Sequence, residues 1–226
     1  MTNSKKILLV EGESDKNFFE EICKKLNLDT TVQVAPPKDL GGNYNTKGGV
    51  LNHLEILLPQ LDDGQITNLA AIVDADYIEH GGGNQKTVER VSEILNPLGF
   101  SINANIPAQE GLYFEHPDGL PDFGLWVMPD NNLDGMLEDW IGKCIKNEEK
   151  DLFEHAISAV TSLDAPKFKP HLQTKAEIAT WLAWQKTPGR GLSSTIKDSL
   201  LDEDHNNFQQ LCLWLKHIFE GEEGNT

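Results

Sequence analysis

The sequence predicts an α/β protein: a mostly parallel sheet flanked by helices, followed by a helical C-terminal subdomain. Three observations predict it. Short, continuous apolar runs of strand length recur within KKILLV (5–10), NLAAIVD (68–74) and FGLWVMP (123–129). Between them lie amphipathic segments of helical period joined by short connections, the alternation that a parallel sheet with crossover helices requires. From Leu133 onward the segments are helical in pattern, which divides the chain into an α/β core at 1–130 and a helical part at 131–226.

The elements follow in order. After KKILLV, Ser14 is positioned to cap a helix with Asp15 in its first turn. Phe18, Phe19, Ile22, Cys23 and Leu26 then share one face. TVQVA (31–35) reads as a second strand, stopped by Pro36-Pro37. A glycine-rich loop (39–49) leads into a helix whose Val50, Leu51, Leu54, Leu57, Leu58 and Leu61 lie on one side. NLAAIVD is the next strand and Gln85–Leu95 the next helix. FSINANI and GLYFEHP are short enough to pair as a hairpin before FGLWVMP. MLEDWIGKCIKN, KDLFEHAISAVTSL, TKAEIATWLAWQK and FQQLCLWLKHIFE complete the chain as helices. Trp181, Trp184 and Trp214 fall on apolar stripes and are expected in the core.

Composition narrows the function classes. A formal charge of −17 excludes a generic basic nucleic-acid coat, and EGEE at 220–223 reads as an acidic tail. It leaves room for an enzyme that reaches phosphate through a bound cation and a local basic patch. No apolar run approaches the roughly 20 residues of a membrane span, and ILLV is too short for a secretory leader, so a cytoplasmic protein without membrane contact is expected. The 3 cysteines, Cys23, Cys144 and Cys212, lack C-x-x-C spacing, which argues against a disulfide framework or zinc knuckle.

Two apolar runs end abruptly on acids: Glu11 after the first strand, Asp74 and Asp76 after the third. Ligands of parallel α/β sheets bind beyond the C-terminal strand ends. An i, i+2 pair on extended chain points one way, so adjacent strands, about 5 Å apart, bring the three carboxylates together. Such a cluster is stable with a cation or with raised pKa values. Oxygen-only ligands select a hard ion, Mg²⁺ or Mn²⁺. The competing reading is that Asp74 and Asp76 open a turn and cap a helix. For positive charge, Lys47 and Gly48 stand at a helix start suited to an anion. Lys175 and Arg190 flank the tryptophan-rich helix, where they are positioned to meet substrate phosphate. Lys175 lies next to the apolar stripe of Ile178, Trp181 and Leu182, so it either snorkels to the rim or enters the acidic cleft. HGGG (80–83) lacks a G-x-S-x-G elbow, and GNYNTKGG (42–49) lacks the G-K-[ST] of a P-loop.

A hydrophobic strand closing on Glu-Gly and a later one closing on Asp-x-Asp resemble the Toprim domain of topoisomerases, primases, recombination mediators and overcoming-lysogenization-defect nucleases. VEGESD (10–15) is most similar to the nuclease branch. GLWVMPDNNLDGMLEDW and TKAEIATWLAWQKTPGRG further resemble stand-alone bacterial Toprim-like proteins of unassigned function. The resemblance implies a Mg²⁺- or Mn²⁺-dependent nuclease of DNA or RNA. Glu11, Asp74, Asp76 and Lys175 would carry catalysis, Asp15 and Glu138 would complete the metal set, and Lys47, Gly48 and Arg190 would meet phosphate. It also implies a role in phage defence with a separate ATPase partner. Glu138 is favoured over its neighbour Asp139. One departure from the family stands out: many Toprim domains carry Gly three residues after the second Asp, where this chain has Glu79, with glycines only at 81–83. That departure, with the acidity, favours the alternative of a non-catalytic Toprim-like module that binds a partner or nucleotide and uses Mg²⁺ structurally.

Overall fold

A computed structural model of the protein describes residues 5–36 and 46–220. Six strands form one sheet in the order β2-β1-β3-β6-β5-β4. They are β1 (Lys6–Val10), β2 (Thr31–Val34), β3 (Asn68–Asp74), β4 (Ser101–Ile102), β5 (Leu112–Glu115) and β6 (Phe123–Met128). β2, β1, β3 and β6 run parallel; β5 is antiparallel to β6, and β4 to β5. The expected α/β class is therefore observed, with 97–124 supplying the anticipated hairpin. Part of the glycine-rich loop (37–45) and the acidic tail from 221 lie outside the described residues.

Eight α-helices are described: α1 (Glu13–Lys25), α2 (Lys47–Asp62), α3 (Asn84–Leu95), α4 (Leu137–Cys144), α5 (Asn147–Thr161), α6 (Gln173–Ala183), α7 (Ser194–Lys197) and α8 (Asn206–Glu220). Strand period assigns each side chain to a face. Leu8 and Val10, Ala70 and Ile72, and Trp126 and Met128 enter a core shared with α1, α4, α6 and α8. Ile7 and Leu9, Leu69, Ala71 and Val73, and Leu125 and Val127 enter the opposite core, beneath α2 and α3. Burial on both faces is why these strands read as continuous apolar runs. The C-terminal helices thus roof one face of the sheet. β6 meets α8 so closely that a Cβ on Gly124 would stand 2.7 Å from the Ile218 side chain. Trp181 and Trp214 are core residues as expected, whereas Trp184, at the C-cap of α6, is 45% exposed. It follows the last helical turn, so the stripe no longer directs it inward.

Topology places the site. The chain passes from β1 to β2 on one side and returns to β3 on the other, so the crevice between β1 and β3 is a switch point where sheet ligands bind. Glu11 and Asp74 stand at its mouth.

Candidate metal centre

Glu11 follows the last residue of β1 and Asp74 ends β3. The Asp74 amide donates to Glu11 Oε1 at 2.9 Å, tying the two strand ends together. Asp74 Oδ1 accepts from the Leu137 amide, also at 2.9 Å, so the carboxylate sits on the N-terminus of α4. Asp15 comes from α1. The expected Ser14 cap is not formed: the helix begins at Glu13 with Gly12 as N-cap, because Asp15, at the third helical position, reaches back to the Gly12 amide at 3.0 Å. Glu138 comes from the first turn of α4, only 8% exposed, and Lys175 from α6 stands 3.6 Å from its Oε1.

These groups form one electrostatic unit. Burial raises Glu11 to about 7, opposed by the charge of Lys47 and by the Asp74 amide. Asp74 is pushed well above the usual carboxylate range by burial, then by Glu11, Asp15 and Glu138. Burial likewise raises Asp15 and Glu138, with Lys175 opposing both. Burial works to lower Lys175, but Glu138, Asp74, Asp15 and Glu11 together raise it. Of the two orientations open to Lys175, the structure shows the one that enters the acidic cleft.

Asp76 behaves differently from Asp74. The chain leaves the strand at Ala75, whose amide bonds Met128 O, and Asp76 takes a left-handed φ of 59° while bridging Gly135. Extended period therefore does not carry the direction of Asp74 through to Asp76. Its Oδ2 instead holds Lys47 Nζ at 2.7 Å, and Lys47 also donates to Ala75 O at 3.2 Å and Thr87 Oγ1 at 3.3 Å. Asp76 still lies close enough to Glu11 to raise it. Lys47, expected to meet phosphate, is an internal counter-ion with its side chain 11% exposed. Gly48 occupies the first turn of α2, beside it. Arg190 pairs with Asp198 at 2.5 Å rather than with any carboxylate of the group.

The glycines at 82 and 83, rather than position 79, close onto Asp76. Gly82 packs onto Asp76 so tightly that a Cβ would lie 2.5 Å from the Asp76 Cβ and 2.9 Å from Ala75 O. Gly83 N bonds Ala75 O at 2.8 Å, so the later glycines close the turn around Asp76.

Sequence reasoning missed the network around Asp139. Its Oδ2 accepts from the Met136 amide at 2.7 Å and from Tyr77 Oη at 2.9 Å, while Oδ1 accepts from Thr174 Oγ1 at 3.0 Å. Burial raises the Tyr77 hydroxyl to about 12, which keeps it protonated as a donor. An acid three residues into a helix was the available signal, since that position commonly bonds back to the cap.

Glu138 is the opposite case: its Oε2 is buried without a hydrogen-bond partner. A buried carboxylate oxygen left unpaired is costly and calls for a ligand or a proton. Among the described residues no three acidic, His or Cys side chains are already drawn tightly enough to enclose an ion. Mg²⁺ keeps several waters and takes only one or two carboxylates, so it is the ion that oxygen donors this loosely gathered could hold.

The fold and this strand-end carboxylate group define an α/β protein with a candidate cation site at its switch point. Over residues 5–220 the chain matches the family described as "Protein of unknown function (DUF3226)", and it belongs to that family. Comparison with curated proteins and with solved structures gives no match. No helix among the described residues is long and apolar enough to cross a membrane.

Proposed function

We propose that the protein is a Mg²⁺-dependent phosphodiesterase of nucleic acid, as its Toprim-like strand ends imply. The observation that carries this reading is the unpartnered, buried Oε2 of Glu138 beside Asp74, Asp15 and Glu11. Glu11, Asp74 and Glu138 would hold the ion, with Asp15 close to Asp74 and Asp76 close to Glu11. A bound divalent cation would supply charge for the scissile phosphate and acidify a water. Lys175, with its side chain 44% exposed against 11% for Lys47, meets negative charge that develops on the phosphate. The Leu137 amide fixes Asp74, and Lys47 fixes Asp76, so the acids are oriented before substrate arrives. The ATPase partner in phage defence belongs to the same reading by resemblance.

The alternative, a binding module that uses Mg²⁺ structurally, is favoured by one observation: Lys47 and Arg190 are both engaged in internal ion pairs. Incubation of pure protein with plasmid or RNA and Mg²⁺ separates the two. Cleavage that disappears in Glu11→Gln is expected. Calorimetric Mg²⁺ binding with no cleavage under any substrate leaves the binding module.

A further inference from the structure

Beside Asp76 lies a cavity of about 290 Å³, whose lining includes Lys47, Lys86, Arg90, His80 and His171. In a chain with 36 acidic and 19 basic residues this concentration is unusual. Asp76 is the one carboxylate in the lining, and Lys47 already neutralises it at 2.7 Å. The backbone is occupied elsewhere: Gly81 N bonds Ile78 O, Gly82 N bonds Tyr77 O and Gly83 N bonds Ala75 O. Recognition in this cavity therefore falls to side chains. The His80 and His171 rings lie against each other, tilted by 49° with centroids 4.3 Å apart, and His171 Nδ1 is buried without a partner. Lys86, exposed on α3, makes a hydrogen bond to Gly81 O at 2.7 Å, and Arg90 is exposed one turn further on.

We propose that this cavity binds the terminal phosphate of a nucleic-acid strand, a proposal that rests on the phosphodiesterase reading. The charge selects a monoester over a diester. A terminal phosphate carries about −1.5 to −2 and offers three acceptor oxygens, which suits Lys86, Arg90 and two imidazoles. A backbone diester carries one charge and needs less. The volume admits a phosphate with its sugar but not a duplex. Because Asp76 walls both the cavity and the carboxylate group, a strand anchored by its end would lie alongside the proposed metal centre, as end-directed cleavage requires.

Calorimetric titration with short single-stranded oligonucleotides, in excess chelator so that no cleavage occurs, tests the cavity apart from the chemistry. A strand phosphorylated at one end should bind at least about tenfold tighter than the same strand with hydroxyl ends, and inorganic phosphate should compete. The Lys86→Ala, Arg90→Ala variant should lose that preference at an unchanged melting temperature. NMR of the His80 and His171 rings during phosphate titration gives a reading that needs no variant. Equal affinity for both strands, or ring signals that phosphate does not move, overturns the proposal. A preference in protein that shows no Mg²⁺-dependent cleavage keeps the phosphate site and removes the phosphodiesterase reading; cleavage without the preference does the reverse.

Discussion

Two neighbouring pairs of acids, Asp74 with Asp76 and Glu138 with Asp139, divide the site into two regions. Asp76 and Asp139 are consumed: one holds Lys47, the other accepts from Met136, Tyr77 and Thr174. Asp74 and Glu138 are driven toward the protonated form by burial and, less, by neighbouring carboxylates, and Glu138 keeps an oxygen with no partner. Asp76 and Asp139 build the walls of the site, and Asp74 and Glu138 leave it electrostatically unsatisfied. Residues one or two apart in sequence thus take opposite roles, and substitution at each tests the division.

The largest effect on stability is expected at Asp139. Asp139→Ala removes the acceptor for three donors and should cost about 2–3 kcal/mol in denaturant unfolding, because hydrogen bonds to a charged group are worth more than neutral ones. Glu138→Gln should be neutral or stabilising in chelator while weakening Mg²⁺ binding. Equal losses in the two variants would erase the difference between the pairs.

The unsatisfied region should also respond to pH. Glu11 holds its proton up to about 7 in the folded protein, against 4.5 ordinarily. The folded state therefore binds more protons than the unfolded chain between those values, and stability falls as pH rises through that window. In metal-free protein the loss from Glu11 alone should be about 3 kcal/mol. It should shrink but persist in Glu11→Gln, because Asp74, Asp15 and Glu138 are raised as well, and Mg²⁺ should offset it at pH 8 by mass action. Thermal melts across pH 4–8, with and without Mg²⁺, measure all three.

Lys175 lies where the open region meets solvent. Lys175→Met should lower phosphodiester cleavage by at least about tenfold, or 1.4 kcal/mol of barrier. Its partial exposure limits the effect on stability to less than about 1 kcal/mol. Unchanged cleavage rates at an unchanged melting temperature would return Lys175 to a surface role and leave α6 as scaffold.

The sheet was legible because period and burial coincide: β1, β3 and β6 are buried on both faces, and an acid directly after such a run has few structural uses. Glu11 and Asp74 could be found that way. Asp76 could be found but not oriented, since its left-handed turn depends on Gly82 and Gly135, whose approach no local pattern announces. Asp139 was hidden because two of its partners, Tyr77 and Thr174, are 62 and 35 residues away. Lys47 and Arg190 read as free cations because their partners, Asp76 and Asp198, are fixed by tertiary placement rather than spacing.

The smallest effect is expected at Asp76, and its sign separates two physical pictures. If mutual repulsion among strand-end acids dominated, Asp76→Asn would relieve it and stabilise the metal-free protein. The structure supports the opposite sign. Asn tolerates the left-handed backbone at φ 59° as well as Asp does, so the substitution changes charge with little change of conformation. What it removes is the counter-charge of Lys47, which is 11% exposed and keeps only Ala75 O and Thr87 Oγ1 as partners. Stranding a largely buried ammonium is costly, but Asp76 itself is 49% exposed, which weakens the attraction that is lost. A destabilisation of about 1 kcal/mol in chelator is therefore expected. Asp74→Asn, measured beside it, should be neutral or stabilising. If Asp76→Asn raised the melting temperature as much as Asp74→Asn, Lys47 would not be the partner that distinguishes the two aspartates, and both would belong to one repelling cluster.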